Sequence, residues 1–323
     1  MKRTQLNSPR EVTDDEIQHA AALLRAGKLV AFPTETVYGL GANALDDAAV
    51  ARIFAAKGRP SNSPIIVHVC DEAMAASVVA EWPSVAQALA QKFWPGPLTL
   101  VLKKQPVVPD LVTAGLDTVG VRMPAHSVAL ALIRSAQVPV AAPSANRFSQ
   151  LSPTTAEHVR QSLGARVDYI LDGGPCAVGI ESSVLSLAGD NPTLLRPGGV
   201  SRQRIEEVIG PVAVQTAAPQ RAHPSPGMHP RHYSPRTRLL LIHDGVLPNA
   251  GVGCYLQLHR PPHGHADEIV QMPADSAEYA VQLYGSLHEM DDRHYNWIAV
   301  DAPPDTPEWE AVLDRLHRAA ASD

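Results

Sequence analysis

Lys57 and Arg59 stand one residue apart at the end of a helix-like stretch. Upstream of them runs Phe32-Pro33-Thr34-Glu35-Thr36-Val37-Tyr38-Gly39-Leu40-Gly41. Threonines supply hydroxyls, glycines permit unusual dihedrals and close backbone approach, and a Lys-Gly-Arg group supplies two cations; together these suit an anion, above all a phosphate. The phrase matches neither the GxxxxGK[ST] phosphate loop nor the GxGxxG dinucleotide loop, so alone it points to a phosphate or nucleotide without saying which. A plainer reading is available for each part: a Gly-rich turn, and a cationic helix end that complements the helix dipole.

Further groups of the same chemistry recur downstream. Thr118 and Arg122 are four apart in an alternating run, which sets them on one face of a strand. Ala142-Pro143-Ser144-Ala145-Asn146 leaves a strand, and Ser152-Pro153-Thr154-Thr155 enters a helix for which a capping box is expected from Thr154 to Glu157. Glu181-Ser182-Ser183-Val184 begins another strand, and Arg196-Pro197-Gly198-Gly199 follows a short one. His68 lies in an otherwise apolar run, where a histidine is ordinarily a satisfied core residue. His229 and His232 have metal-ligand spacing, but Pro230 intervenes and no third ligand is near, so no metal site is expected.

The elements that must position these groups alternate. A capping box at Thr13 to Glu16 starts a helix stopped by Gly27. Strands are expected at 28–32, 64–69, 98–102, 119–122, 138–142, 169–171 and 183–187. Helices are expected from Asp46 or Asp47 to Ala56 and at 84–93, 126–135, 155–162 and 201–209. From Pro211 to Arg236 periodicity disappears into a Pro-rich, semi-extended linker. Beyond it strands at 239–242, 251–256 and 297–300 and helices at 274–289 and from Pro307 form a second, smaller α/β unit. The division expected is 1–210, 211–237 and 238–323.

The 323 residues suffice for two domains, and no apolar run approaches a membrane span. With no apolar segment behind the basic start, the cytoplasm is the expected compartment and no membrane partner is expected. Lys and Arg number 27 against 33 Asp and Glu, a net charge of −6; charge-driven wrapping of nucleic acid is disfavoured, and no strong direct nucleic-acid binding is expected. Cys70, Cys176 and Cys254 form no CxxC pair and read as reduced thiols.

Taken in order from Phe32 to Pro235, these phrases resemble the Sua5/YrdC/YciO family, and the tail resembles its two-domain Sua5 type. The resemblance implies a YrdC-like twisted mixed sheet flanked by helices, with a smaller Rossmann-like α/β domain behind it. It implies an enzyme that forms threonylcarbamoyl-AMP and pyrophosphate from L-threonine, bicarbonate or CO2, and ATP with Mg2+. The product would serve the downstream tRNA threonylcarbamoyl transferase machinery. It assigns Thr36, His68, Arg122, Ser144 and Ser182 to L-threonine. Lys57, Arg59, Ser63, Thr118, Asn146, Ser152, Arg196, His232 and Tyr233 are assigned to ATP, with Lys57 and Arg59 also catalytic. Ser63 stands where relatives commonly carry an amide. Ser225-Pro226-Gly227-Met228-His229-Pro230-Arg231-His232-Tyr233-Ser234-Pro235 is similar to the family's linker motif and implies a lid over the nucleotide. A double-stranded RNA-binding module without activity, and carbamoyl transfer like that of hydrogenase-maturation proteins, are the alternatives.

Overall fold

The computed structural model describes residues 11–215 and 232–321. Helix α1 (Asp14–Arg25) starts with the expected reciprocal box, in which Glu16 N–H donates to Thr13 Oγ1 and Thr13 N–H to Glu16 Oε2. After Gly27, at φ +71°, the chain turns into β1 (Val30–Phe32).

The phrase read as one Gly-rich loop is in fact half strand, because Gly39 opens β2 (Gly39–Asn43), antiparallel to β1. Neither Gly39 nor Gly41 has a positive φ. What Gly41 provides is closeness: a Cβ there would stand 2.8 Å from Phe32 and 2.9 Å from Val140. Of the two expected uses of glycine, unusual dihedrals are corrected and close approach holds: the glycines let a strand lie tightly between its neighbours.

Helix α2 (Asp47–Lys57) is capped by Asp46, whose side chain accepts from Ala48 and Ala49, and ends at Gly58 in the left-handed region. That left-handed turn separates Lys57 from Arg59. The strand expected over 64–69 shrinks to β3 (Val67–His68), since Pro64 has no N–H and Ile65 N–H donates to Val112 O.

The chain continues through α3 (Glu72–Ala76), α4 (Ser84–Phe93), β4 (Leu98–Lys103), α5 (Asp110–Thr113), β5 (Thr118–Arg122), α6 (Ser127–Ala136) and β6 (Val140–Ala141). Next come α7 (Ala156–Leu163), β7 (Tyr169–Ile170), β8 (Ser183–Ser186), β9 (Thr193–Arg196), α8 (Arg202–Ile209) and β10 (Ala213–Val214). The capping box expected from Thr154 to Glu157 does not form. Thr155 is the N-cap and accepts from His158 N–H, while Thr154 is drawn to the His158 ring. Strand β10 falls where an aperiodic linker was expected; it pairs with β9 at the sheet edge, where Pro211 just ahead of it is tolerated.

These strands form a mixed ten-stranded sheet in the order β10-β9-β8-β4-β5-β3-β6-β2-β1-β7. Its core packs Leu40, Ile53, Leu89, Leu100 and Val121 on one side and Leu24, Phe32, Leu132 and Ile133 on the other. Beyond residue 231, β11 (Arg238–Ile242), β12 (Gly253–Gln257), β13 (Glu268–Gln271), α9 (Ser276–Asp292), β14 (Trp297–Asp301) and α10 (Glu310–Ala320) build a second sheet. Its order is β11-β14-β12-β13, with every pair parallel. Strand β13 was not foreseen: with alternate residues half-exposed, it carries a weak apolar signal. An apolar cluster joins Val37, Leu151 and Ile180 to Leu283, Tyr284 and Leu316, so the second unit packs against the first beside the threonine-rich phrase.

Candidate active site

The ends of β1, β3, β5, β6 and β9, with the turn before β8 and His232-Tyr233, enclose one cavity. Thr34, Thr36, Arg59, His68, Arg122, Ser144, Glu181, Ser182, Arg196, His232 and Tyr233 supply its polar lining. About 50 Å³ of it admits the centre of a water-sized sphere; at roughly 10–15 Å³ per water, that is room for only a few waters.

On one wall Arg122, 3 % exposed, is held three ways. Its Nη2 lies 2.6 Å from Glu35 Oε1, its Nη1 donates to Thr36 Oγ1 at 3.0 Å, and its Nε donates to Gly96 O at 3.2 Å. Thr36 Oγ1 also shares a 2.8 Å bond with Thr34 Oγ1, which donates to Val37 O. His68 is buried with its ring edge-on to Phe32. Burial first, then the neighbouring Arg122, pushes its pKa down to about 3, so the ring is neutral. Ser144 follows β6 and pairs through its backbone with Gly39.

On the opposite wall Arg196, ending β9, donates from Nε and Nη2 to Ser182 O, and Ser182 Oγ bonds Thr99 Oγ1 at 2.8 Å. Arg59 Nη2 donates to Ser63 Oγ at 2.6 Å and Pro64 O at 2.8 Å, both uncharged acceptors. Burial, with Arg196 adding to it, lowers the Arg59 guanidinium to about 10. Glu181 is the carboxylate of the lining. Burial alone would raise its pKa, but Arg315, Arg196 and the Ser152 hydroxyl hold it below the usual carboxylate range. Tyr233 takes a left-handed φ of +60°, which turns its ring inward against His232 and Tyr284.

Nine of the residues singled out from the sequence therefore share one cavity: Thr36, Arg59, His68, Arg122, Ser144, Ser182, Arg196, His232 and Tyr233. Lys57, Ser63, Asn146 and Ser152 lie one layer behind it. The Lys57 ammonium donates to Ser144 O and Asn146 O, and burial with Arg59 nearby pushes its pKa well down. Ser63 touches the cavity only through Arg59. Asn146 Nδ2 donates to Arg147 O and Gln150 O, which shapes the loop after Ser144. Ser152 Oγ donates to Glu181 Oε1 at 2.6 Å.

Thr118, which begins β5, faces a neighbouring hollow with Pro64, Thr99 and Val184, and Ile66 lines both that hollow and the cavity. The family phrase from Ser225 to Arg231 lies outside the described residues. Glu181 and Arg315 were missed. Arg315 had left a signal, a charge inside the apolar stripe Val312, Leu316, Ala319 of a terminal helix.

Among the described residues no group of three His, Cys, Asp or Glu side chains could hold a metal ion. Cys70, Cys176 and Cys254 are free and buried. No helix among the described residues is long and apolar enough to cross a membrane.

A mixed α/β sheet whose strand ends carry buried guanidinium groups and hydroxyls around one cavity defines a binder of a small anionic substrate or nucleotide. The chain belongs to the Sua5/YrdC/YciO family. Residues 22–198 match the family model Sua5_yciO_yrdC, described as "Telomere recombination". Residues 200–321 match Sua5_C, described as "Threonylcarbamoyl-AMP synthase, C-terminal domain".

The Threonylcarbamoyl-AMP synthase of Bacillus subtilis is 43 % identical, over 95 % of this chain and 93 % of its own length. That of Pyrococcus abyssi is 40 % identical, over 98 % and 97 %. The crystal structure of P. abyssi Sua5 complexed with L-threonine superposes with a TM-score of 0.88 at 40 % identity, covering 96 % of each chain.

Proposed function

We propose that this protein is a threonylcarbamoyl-AMP synthase, making threonylcarbamoyl-AMP and pyrophosphate from L-threonine, bicarbonate or CO2, and ATP. The observation that carries the chemistry is the charge of a narrow cavity lined by buried side chains. Arg59 is buried against uncharged oxygens, Arg196 lies beside it, and the lining's carboxylate Glu181 is already neutralised by Arg315. Such a site is completed by a polyanion.

In this reading Arg59 and Arg196 hold the phosphates and the charge that grows on departing pyrophosphate, with His232 and Tyr233 against the nucleotide. Arg122 and Thr36 hold the threonine carboxylate, with Ser144 and Ser182 as hydroxyl partners and neutral His68 beside them. The threonine amine attacks CO2 and loses a proton to give a carbamate. A carbamate oxygen then attacks the α-phosphorus, and pyrophosphate leaves. The residues act by positioning and charge neutralisation, and no enzyme nucleophile is required. Mg2+ would be held by the ATP phosphates, since the lining's carboxylate Glu181 and the nearby Glu35 are engaged by Arg315 and Arg122. Lys57, Ser63, Asn146 and Ser152 act from behind, by setting the Ser144 loop, Arg59 and Glu181.

The product is a reactive mixed anhydride and needs an acceptor, which we assign to the transferase machinery that modifies adenosine in tRNA. We place the protein in the cytoplasm, with the catalytic domain running past residue 210 through β10 and 238–323 as the C-terminal domain. An RNA-binding module without activity is disfavoured by the net charge of −6.

The test is pyrophosphate release from ATP and bicarbonate, with and without L-threonine, in wild type and Lys57→Ala. Strong threonine dependence and a large loss in the variant are expected. Equal release with serine or with no amino acid would refute the reading.

A further inference from the structure

Arg315 belongs to α10, in the second domain, yet three segments of the cavity's nucleotide wall meet it. It is 1 % exposed, on a helix face otherwise made of Val312, Leu316 and Ala319. A guanidinium buried so fully must be paired, and its planar fork can serve several acceptors at once. Its Nε donates to Glu181 Oε2 at 2.7 Å, its Nη2 to Pro197 O at 3.0 Å and its Nη1 to Asp314 Oδ2 at 2.6 Å. Its guanidinium carbon stands 5.1 Å from the centre of the Tyr233 ring.

Each contact outside its own helix falls on a cavity residue or beside one. Glu181 lines the cavity and precedes Ser182, Pro197 follows Arg196, and Tyr233 lines the cavity itself. Helix α9 adds to the same cluster: Tyr284 Oη donates to Glu181 Oε2 at 3.2 Å, and His288 Nε2 lies 3.1 Å from Ser152 O. Adhesion between the domains is already supplied by the apolar cluster of Val37, Leu151 and Ile180 with Leu283 and Leu316. A fork joining three separate segments adds register to that adhesion.

We infer that Arg315 is a positioning residue of the synthase site, pinning at one point the segments that carry Ser182, Arg196 and Tyr233, so that the C-terminal domain forms part of the active site. The inference rests on the proposed reading of the cavity as a nucleotide site. Arg315→Lys keeps a charge for Glu181 but cannot reach Pro197 O and Tyr233 together. Glu181→Gln with Arg315→Met removes both charges, so neither partner is left as a lone buried ion.

The experiment compares the full-length wild type with both variants by thermal melting, by calorimetric titration with MgATP, and by threonine-dependent pyrophosphate release. In Arg315→Lys the MgATP affinity and the KM for ATP are expected to worsen by about tenfold or more; the KM for threonine, held mainly by Arg122 and Thr36 and only in part by Ser182, is expected to worsen by a clearly smaller factor. The paired variant is expected to fold and remain weak for ATP, and it carries the test if Arg315→Lys fails to fold. A folded Arg315→Lys with ATP affinity within about twofold of wild type would overturn the inference. So would a loss confined to the amount of active enzyme, or a paired variant that regains wild-type ATP affinity. If the wild type binds ATP but releases no threonine-dependent pyrophosphate, the synthase reading fails while the ATP affinities still decide the role of Arg315. A wild type that binds no ATP overturns both.

Discussion

Replacing Ser63 by alanine removes a hydroxyl that never touches the cavity, yet it is expected to weaken ATP. Arg59 Nη2 has three protein acceptors: Ser63 Oγ at 2.6 Å, Pro64 O at 2.8 Å and Ser63 O at 3.3 Å. The hydroxyl is the shortest of them, and Ser63 is 1 % exposed, so water does not readily replace it. A hydrogen bond to a charged group contributes about 1.5–3 kcal/mol net. The two remaining carbonyls recover part of that, which leaves about 1–2 kcal/mol for holding the guanidinium in place. Because only the Arg59 arm is loosened, the effect converts to roughly a 5–30-fold rise in the KM for ATP. The KM for threonine, whose wall is set by Arg122 and Thr36, should stay within about twofold. Steady-state pyrophosphate release with each substrate varied in turn measures both. An unchanged KM for ATP, or equal rises for both substrates, would refute the claim that Ser63 acts through Arg59.

Three further outcomes follow from the geometry. Arg122→Lys cannot keep the Glu35, Thr36 and Gly96 bonds together, and it should raise the KM for threonine by about tenfold or more with ATP little changed. The opposite split, read in the same assay, would exchange the two walls. Gly41→Ala places a Cβ 2.8 Å from Phe32 and 2.9 Å from Val140, both fully buried, and should cost about 1–3 kcal/mol in urea unfolding; wild-type stability would contradict the packing role. His68 has a folded pKa of about 3 against the usual 6.5, so the neutral ring's stability is complete above 6.5 and declines as pH falls toward 3. The margin of wild type over His68→Gln should shrink by about 2–3 kcal/mol between pH 7.5 and 4.5 in urea unfolding. A margin independent of pH would mean that the ring is not held neutral.

What the sequence disclosed and what it hid divide along physical lines. Local signals were legible: the Thr13 box, the Asp46 cap and the helix at 84–93 each depend on neighbours a few residues away, and they occur where expected. The glycines of the Thr-Gly phrase misled, because a strand that needs glycine for tight packing and a loop that needs it for its dihedrals look alike until Phe32 and Val140 are in place. Residues of the cavity were recognised as phrases, but their depth was not: Lys57, Asn146 and Ser152 carry the same chemistry as the lining and differ only in facing protein oxygens. Thr118 shares a strand face with Arg122, and alternation cannot say that it opens onto a hollow next to the cavity, with Ile66 between the two. Arg315 is more than a hundred residues from Glu181 in the chain, and only the packing of the second domain brings them together.

The most direct measurement supplies the enzyme with MgATP, L-threonine and 13C-bicarbonate and reads the nucleotide products by mass spectrometry. The account predicts a threonine-containing adenylate that carries the labelled carbon, formed with pyrophosphate. A threonine adenylate without the label, or nucleotide products confined to ADP and phosphate, would contradict it.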